Sequence, residues 1–517
     1  MYRIHLQKGK NKYEFEELVK VFLKTGEYRF EGLSDHNEGL SDQEETELTD
    51  AAAGEAELDG TDCIDIYVPE FPEHPEWNKK EKDTKNQIKR FLFKELELHT
   101  GETPDWGILT GVRPVKLAGE LLQREMSEDD VREILINDYY LKPEKAELLL
   151  AIAAYQSRIL KPSPQEAIGL YLGIPFCPTR CVYCSFPSNQ ANAAGIESYL
   201  KGLHREIDFV SEVMARIGWY PESVYLGGGT PTTLTAEQLD ELLFHVRSAF
   251  DFTQIREFTV EAGRPDTITA EKLTVIRKHD SQRISINPQS MNVQTLEQIG
   301  RAHRPEEIIE AFRLARAAGI PMINTDVIAG LPGEEPEDFV HTLEQILALG
   351  PENITVHTLA LKRASRLKEI DSDYNYKQGK RVRTMLDHAR QMLDKAGYKP
   401  YYLYRQKQMT GNFENVGYAR GDTAGIYNIR IMEEAQTIVA LGAGGISKAY
   451  YPEENRLERV PNVTNYEIYV ERLDEMLQRK KEGLFSPDIK AALDFKDTTI
   501  NQANFHSVTE QEAPHVD

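Results

Sequence analysis

Between Ile168 and Leu359 the chain alternates short β-rich runs with longer amphipathic segments, six times in regular order. The β-rich runs are 168–174, 223–226, 257–261, 283–286, 322–329 and 353–359, and the segments between and after them, such as 197–216, 236–249, 305–318, 336–349 and 380–396, carry apolar residues at helical spacing. That order predicts an α/β fold with a parallel sheet and covering helices, built as an open doubly wound sheet or as a full or partial barrel.

The flanks read differently. Residues 1–161 predict an N-terminal α+β domain, with helices over 13–24, 85–98, 127–136 and 143–157 and a strand over 64–68. Within it, 33–62 is rich in Asp and Glu and has no Lys or Arg, so it reads as a loop insertion that cannot bury enough apolar surface to offset its ordering entropy; an acidic docking arm is the functional alternative. Lys161-Pro-Ser-Pro forms a linker to the α/β domain, 166–400. A smaller C-terminal domain, 401–490, holds a strand over 437–441, the run Gly442-Ala-Gly-Gly-Ile446 and a helix over 465–481, before a flexible tail, 491–517. The chain of 517 residues has room for these units. Its net charge of −23 weighs against a nucleic-acid partner. No apolar run approaches the ~20 residues of a membrane span, the N-terminus has no signal-peptide core, and four cysteines are too few for a disulfide framework, so a cytoplasmic location is expected.

Parallel α/β folds gather chemistry at the C-terminal ends of their strands. Here the first strand leads into Cys177, Cys181 and Cys184, spaced C-x3-C-x2-C, while Cys63 lies far upstream. Thiolates so clustered bind zinc or an iron–sulfur centre, and a cubane held by three cysteines leaves one iron open to a small molecule. The second strand runs into Gly227-Gly-Gly-Thr-Pro-Thr232, which is either a sharp turn or a backbone surface that a ligand can approach closely. Glu261, Gln289, Asp326, His357 and Ala360 stand at the ends of the later strands. Glu261 and Asp326 suit an ammonium group or ribose hydroxyls and Arg301 a carboxylate; ordinary surface charges are the alternative for all three.

The cysteine loop and Gly-Gly-Gly-Thr-Pro-Thr together resemble the radical S-adenosylmethionine (SAM) superfamily. Tyr171-Leu-Gly-Ile-Pro-Phe-Cys177, Gln289-Ser290 and Asp326-Val-Ile-Ala-Gly-Leu-Pro332 are similar to the oxygen-independent coproporphyrinogen III oxidase family, and Gly111-Val-Arg-Pro-Val-Lys116 to its HemZ-type branch. The resemblance implies a partial (β/α)6 barrel and a [4Fe–4S] cluster on Cys177, Cys181 and Cys184, whose open iron binds SAM. It places Tyr171, Gly228 and Glu261 around that SAM, with Tyr171 and Glu261 counted as catalytic. Tyr183, Gly229, Thr230, Gln289, Arg301, Asp326 and Ala360 match positions that line a second SAM or the rest of the site. The implied reaction is oxidative decarboxylation of coproporphyrinogen III to protoporphyrinogen IX, with flavodoxin or ferredoxin as reductant. Arg180, Arg264, Lys362 and Arg363 are the cations expected to meet substrate carboxylates.

Two positions depart from the family pattern. Phe186 stands where the decarboxylases usually carry another cysteine, and Gly173 where they tend to have histidine. Both departures are shared in part with relatives that act as haem chaperones, as is Gly300-Arg-Ala-His303, in which His303 is expected to be structural. His357, where decarboxylases tend to have an aromatic residue, faces the substrate or is a buried hydrogen-bonded histidine. A haem chaperone that retains the cluster and SAM site is thus the alternative function, and a zinc-stabilised α/β protein a third.

Overall fold

The computed structural model of the protein describes residues 1–6, 12–24, 26–31, 63–71, 77–111, 113–161, 163–184, 186, 188–360, 378–405 and 413–485. The acidic segment 33–62, the tail 491–517, Lys362 and Arg363 lie outside the described residues.

Near the N-terminus, β1 (Tyr2–His5) pairs in parallel with β2 (Tyr28–Glu31) on one side and β3 (Ile64–Tyr67) on the other. Helices Tyr13–Phe22 and Trp77–Thr100 accompany this small sheet, and Ile4, Phe15, Leu18, Ile66, Leu92 and Phe93 form its own core. The second of those helices starts before residue 85, where the periodicity predicts it. Most buried apolar residues from Trp106 to Ile152, Ile108 excepted, belong instead to the main core.

That core surrounds an eleven-stranded sheet. Its centre is six strands in chain order, β4 (Ala167–Ile174), β5 (Tyr220–Gly228), β6 (Glu257–Gly263), β7 (Arg283–Ile286), β8 (Met322–Ala329) and β9 (Asn353–Thr358), each parallel to the next. These match the six predicted runs. Beyond β9 lie β10 (Tyr398–Tyr404) and β11 (Asn415–Arg420), with β11 antiparallel to β9 and β10 outermost. Beyond β4 lie β12 (Ile438–Leu441), β13 (Ile446–Tyr451) and β14 (Arg456–Pro461). β12 runs parallel to β4 and adds a seventh parallel strand. The C-terminal segment therefore extends both edges of the central sheet, which remains an open, partial barrel.

Register and the two-residue period of a strand decide what each face carries. Tyr171 lies opposite Tyr225, Glu261 opposite Ser285, Ser285 opposite Asn324, and Asp326 opposite Thr355. These residues share one face, which is polar and aromatic. The intervening Leu170, Val224, Val260, Ile284, Ile323 and Ile354 are buried on the other face, in the main core. Each such side chain contributes about 2 kcal/mol by leaving water.

The helices between strands match the periodicity closely, as in Ala236–Ala249 and Pro336–Leu349. One expectation needs correction. The helix predicted over 465–481 is two helices, Tyr466–Glu471 and Leu473–Gly483, broken at Arg472, where φ is −104° and ψ is 25°. Apolar spacing continues across the break, so periodicity alone does not reveal it.

Candidate active site

A cavity of about 580 Å³ opens at the C-terminal ends of the parallel strands. Cys177, Cys181, Cys184, Tyr171, Tyr183, Gly228, Gly229, Thr230, Glu261, Gln289, Arg301, Asp326 and Ala360 all line it. Residues singled out at the ends of all six strands and in the loops that follow them are thus brought to one place.

The cysteine loop is pinned from several sides. Cys177 N donates to Asn189 O at 3.1 Å, Val182 N to Ile299 O at 3.1 Å, and Cys184 N to Cys181 O at 3.2 Å. Arg264 Nη1 donates to Thr179 Oγ1 at 2.9 Å and reaches Cys181 Sγ at 4.0 Å. The same guanidinium grips Asp266, Nε to Oδ1 at 3.0 Å and Nη2 to Oδ2 at 2.8 Å. Thr230 Oγ1 stands 3.4 Å from Cys177 Sγ. Burial pushes the Cys177 thiol up to about 11 and the Cys184 thiol upward as well, so a bound cation is needed to hold them as thiolates.

Among the described residues, no three Cys, His, Asp or Glu side chains converge as ligands of a single metal ion. A cubane makes a different demand, because each thiolate ligates a different iron and the sulfurs need not meet at one point. Three free thiols on one cavity wall fit that donor set. Cys63 is exposed beside β3 and does not line the cavity.

The glycine run makes the turn and the close approach together. Gly228 has φ +116°, and a Cβ there would come within 2.9 Å of Ile174 O; at Gly229 it would come within 2.5 Å of Phe176 O. The turn is therefore packed backbone to backbone against the cysteine loop, with Gly229 N donating to Ile174 O at 2.8 Å and Thr230 N to Phe176 O at 2.7 Å.

Two carboxylates face the cavity with opposite tuning. Burial first, and then the charge of Asp326, push Glu261 up to about 8, although Tyr225 Oη donates to its Oε2 at 3.3 Å. Burial also works against a charge on Asp326, but His357, Asn324 and Thr355 hold it below the usual carboxylate range. Asn324 Nδ2 donates to Asp326 Oδ1 at 2.9 Å, and His357 Nε2 stands 3.7 Å from Asp326 Oδ2. His357 lines the cavity. Arg301 donates to the Asn287 carbonyl and, through Nη2, to Tyr183 Oη at 3.3 Å.

Some polar capacity is left over. Asn287 Oδ1, Gln289 Oε1 and Arg301 Nε are buried with no hydrogen-bond partner among the described residues. Gln289 also holds a left-handed backbone, φ +68°, a strain that persists where the surroundings enforce it. Two acceptors and a charged donor on a cavity wall are the complement of a ligand with an amine, hydroxyls and a carboxylate, as SAM has. The donor set and these orphaned atoms both fit the cluster and SAM.

Other expectations meet a mixed outcome. Arg264 lines the cavity but is committed to Asp266 and the cysteine loop, and Arg180 does not line it. His303 is 3% exposed, does not line the cavity and is pushed down to about 3 by burial and by Arg301. Phe186 lines the mouth and is 62% exposed. Gly173 lies behind the wall, its carbonyl accepting from Tyr199 Oη.

Sequence reasoning passed over an aromatic wall. Tyr171, Tyr225 and Tyr427 stack, with centroids 4.8 Å apart for the Tyr225–Tyr427 pair, and Tyr402 and Tyr404 line the cavity further round. The signal for Tyr225 and Asn324 was present: each lies two residues before a strand-end position already singled out, or opposite one, and so shares its face. Nothing local marks Tyr427, whose helix, Ile426–Glu433, packs beside β4 and β5 only in the folded chain.

Comparison with known proteins gives the same reading. The profile of the radical SAM superfamily matches residues 171–346. The oxygen-independent coproporphyrinogen-III oxidase-like protein HemZ of Bacillus subtilis is 43% identical over 432 residues, 82% of this chain and 86% of that protein. The heme chaperone HemW of the same organism is 32% identical over 195 residues, 37% of this chain and 50% of that protein. Among solved structures, the coproporphyrinogen III oxidase HemN of Escherichia coli, a radical SAM enzyme, superposes with a TM-score of 0.50 at 22% identity, covering 73% of this chain and 79% of that one.

Proposed function

Because the chain belongs to the oxygen-independent coproporphyrinogen III oxidase family of the radical SAM superfamily, in its HemZ-like branch, we propose that it oxidatively decarboxylates two of the four propionates of coproporphyrinogen III to vinyl groups, giving protoporphyrinogen IX. The observation that carries this reading is the gathering of three free thiols, an acidic pair and orphaned buried acceptors on one cavity beside a tyrosine wall.

Membership of the superfamily implies a [4Fe–4S] cluster and SAM. When bound, they would supply one-electron radical chemistry able to act on an unactivated substrate C–H bond. Cys177, Cys181 and Cys184 hold the cluster. Tyr171, Gly228 and Glu261 position the SAM next to it, and Tyr183, Gly229, Thr230, Gln289, Arg301, Asp326 and Ala360 line a second SAM or the remainder of the site. Asp326, kept ionised by His357 and Asn324, suits ribose hydroxyls or an ammonium group. Tyr171, Tyr225 and Tyr427 exclude water and offer flat faces to a tetrapyrrole ring. A small reductant protein such as flavodoxin or ferredoxin supplies electrons. No helix among the described residues is long and apolar enough to cross a membrane, and the proposal places the enzyme in the cytoplasm.

A second reading, a haem chaperone that keeps the cluster and SAM site, is favoured by Phe186. Its exposed ring at the cavity mouth stands where the decarboxylases usually carry cysteine, and offers a surface for a porphyrin face. Anaerobic incubation of reduced, reconstituted protein with SAM and coproporphyrinogen III separates the two. Vinyl product with deoxyadenosine supports the decarboxylase. Deoxyadenosine without vinyl product, together with stoichiometric haem retained through gel filtration, supports the chaperone.

A further inference from the structure

Three cations from separate parts of the chain meet on one carboxylate oxygen beside the cavity. Glu434 Oε1 lies 2.5 Å from Arg113 Nη2, 3.3 Å from Lys448 Nζ and 3.9 Å from Arg459 Nη2. Arg113 belongs to the Gly111–Lys116 motif just before the helix Pro114–Leu122, Lys448 to β13 and Arg459 to β14. Glu434 caps the helix Ile426–Glu433 in a left-handed conformation, φ +48°, which a residue with a side chain rarely adopts. One carboxylate cannot neutralise three cations. Burial pushes its neighbour Glu433 up to about 7, away from the charged form.

Lys448 is the member of this cluster that lines the cavity, beside the apolar Ile431, Met432 and Ile446. The shorter bond to Glu434 belongs to Arg113, and the other contact of the Lys448 ammonium is the Ile431 carbonyl at 3.4 Å. Of the other cations among the described cavity residues, Arg264 is directed to Asp266, while Arg301 donates to the Asn287 carbonyl and to Tyr183 and keeps only its buried Nε spare, on the wall assigned above to SAM. The cavity thus presents one ammonium with spare donor capacity at the edge of an apolar surface. That combination fits a carboxylate arm extending from a flat apolar body.

We propose that Lys448 binds a substrate carboxylate, and that Arg113 keeps it available by holding Glu434. The identification of that carboxylate as a porphyrinogen propionate rests on the function proposed above. The carboxylate of SAM has the same chemistry, so the test follows both ligands.

The experiment uses the reconstituted full-length protein. Coproporphyrin III, the stable oxidised tetracarboxylate, is titrated by absorbance, and SAM by equilibrium dialysis. Lys448→Met should weaken coproporphyrin binding by about tenfold or more, the scale of a charged hydrogen bond, with SAM binding unchanged and Lys448→Arg retaining most of the affinity. Arg113→Met should also weaken it, by returning Lys448 to Glu434. Glu434→Gln should strengthen it, a change in the opposite direction that misfolding cannot produce. Unchanged coproporphyrin affinity in Lys448→Met overturns the proposal. A loss confined to SAM binding also overturns it, and assigns Lys448 to SAM. Wild-type protein that binds no coproporphyrin overturns the porphyrinogen reading first and this inference with it.

Discussion

Lys480 Nζ stands 2.8 Å from Glu206 Oε1, and neither side chain exposes any surface. Glu206 Oε2 also accepts from Gly442 N at 2.7 Å and from Tyr469 Oη at 2.6 Å, while Asn462 Nδ2 donates to Oε1 at 2.9 Å. A single buried carboxylate therefore ties the last two helices to the loop whose Ala443 and Gly444 line the cavity. Removing the cation strands a buried charge, so Lys480→Met should cost about 3–5 kcal/mol in chemical denaturation. The pH dependence has a definite sign. Burial works against a charge on Glu206, but Lys480, Tyr469 and Gly442 outweigh it and hold the carboxyl below the usual Glu range. Its contribution is present above the ordinary Glu value and is lost as pH falls through the lower folded value. Wild-type melting temperature should drop across that acid range, and Lys480→Met should lose that part of the drop.

Glu261 carries the opposite sign. With a folded value of about 8, it binds a proton more tightly in the folded chain than in the unfolded one. Stability from this group is full below the ordinary Glu value and declines as pH rises towards 8. Glu261→Gln should raise the stability of the cofactor-free protein at pH 8, by roughly 2 kcal/mol after allowance for solvent in the cavity, and leave it unchanged near pH 4. Thermal melts at both values check this. The same variant should bind SAM more weakly, a test of its assigned role by equilibrium dialysis.

Arg264 pins the loop that carries the three cysteines. Arg264→Met removes both bonds to Asp266 and those to Thr179, at a cost of about 3 kcal/mol. Iron and sulfide content after anaerobic reconstitution should fall, while Asp266→Asn, which keeps one acceptor, should lose less of both. Equal loading in wild type and Arg264→Met would show that the loop orders without it.

Gly229 has no room for a methyl group. An added Cβ would meet Phe176 O at 2.5 Å, so Gly229→Ala must separate the glycine turn from the cysteine loop. A cost of about 2 kcal/mol and poorer cluster loading are expected. Gly26→Ala, where nothing lies within 4 Å, is a control that keeps the loading, since its strain at φ +98° stays in the N-terminal unit.

The six β/α units were legible because buried parallel strands are short β-rich runs and their helices repeat at 3.6 residues. The cavity was legible for a related reason. A parallel sheet sends all its strand ends to one edge, so Cys177, Glu261 and Asp326 could be grouped before any contact was known. Pairings between distant segments left no local trace. The bond from Arg113 to Glu434, the commitment of Arg264 to Asp266, and Tyr427 stacking on Tyr225 depend on where the chain returns, and neither alternation nor spacing encodes that. The break at Arg472 was hidden because the apolar stripe runs through it.

The pairing of β12 with β4 has a consequence for how the protein is made. Val439 lies opposite Leu170, so the first barrel strand waits for almost the whole chain before its outer edge is covered. A ribosome delivers all six β/α units while that edge is still bare, and a bare buried-type strand is a template for pairing with another chain. Nascent or truncated protein ending before Ile438 should therefore depend on chaperones and aggregate, and slow late closure of this edge should limit the rate of folding.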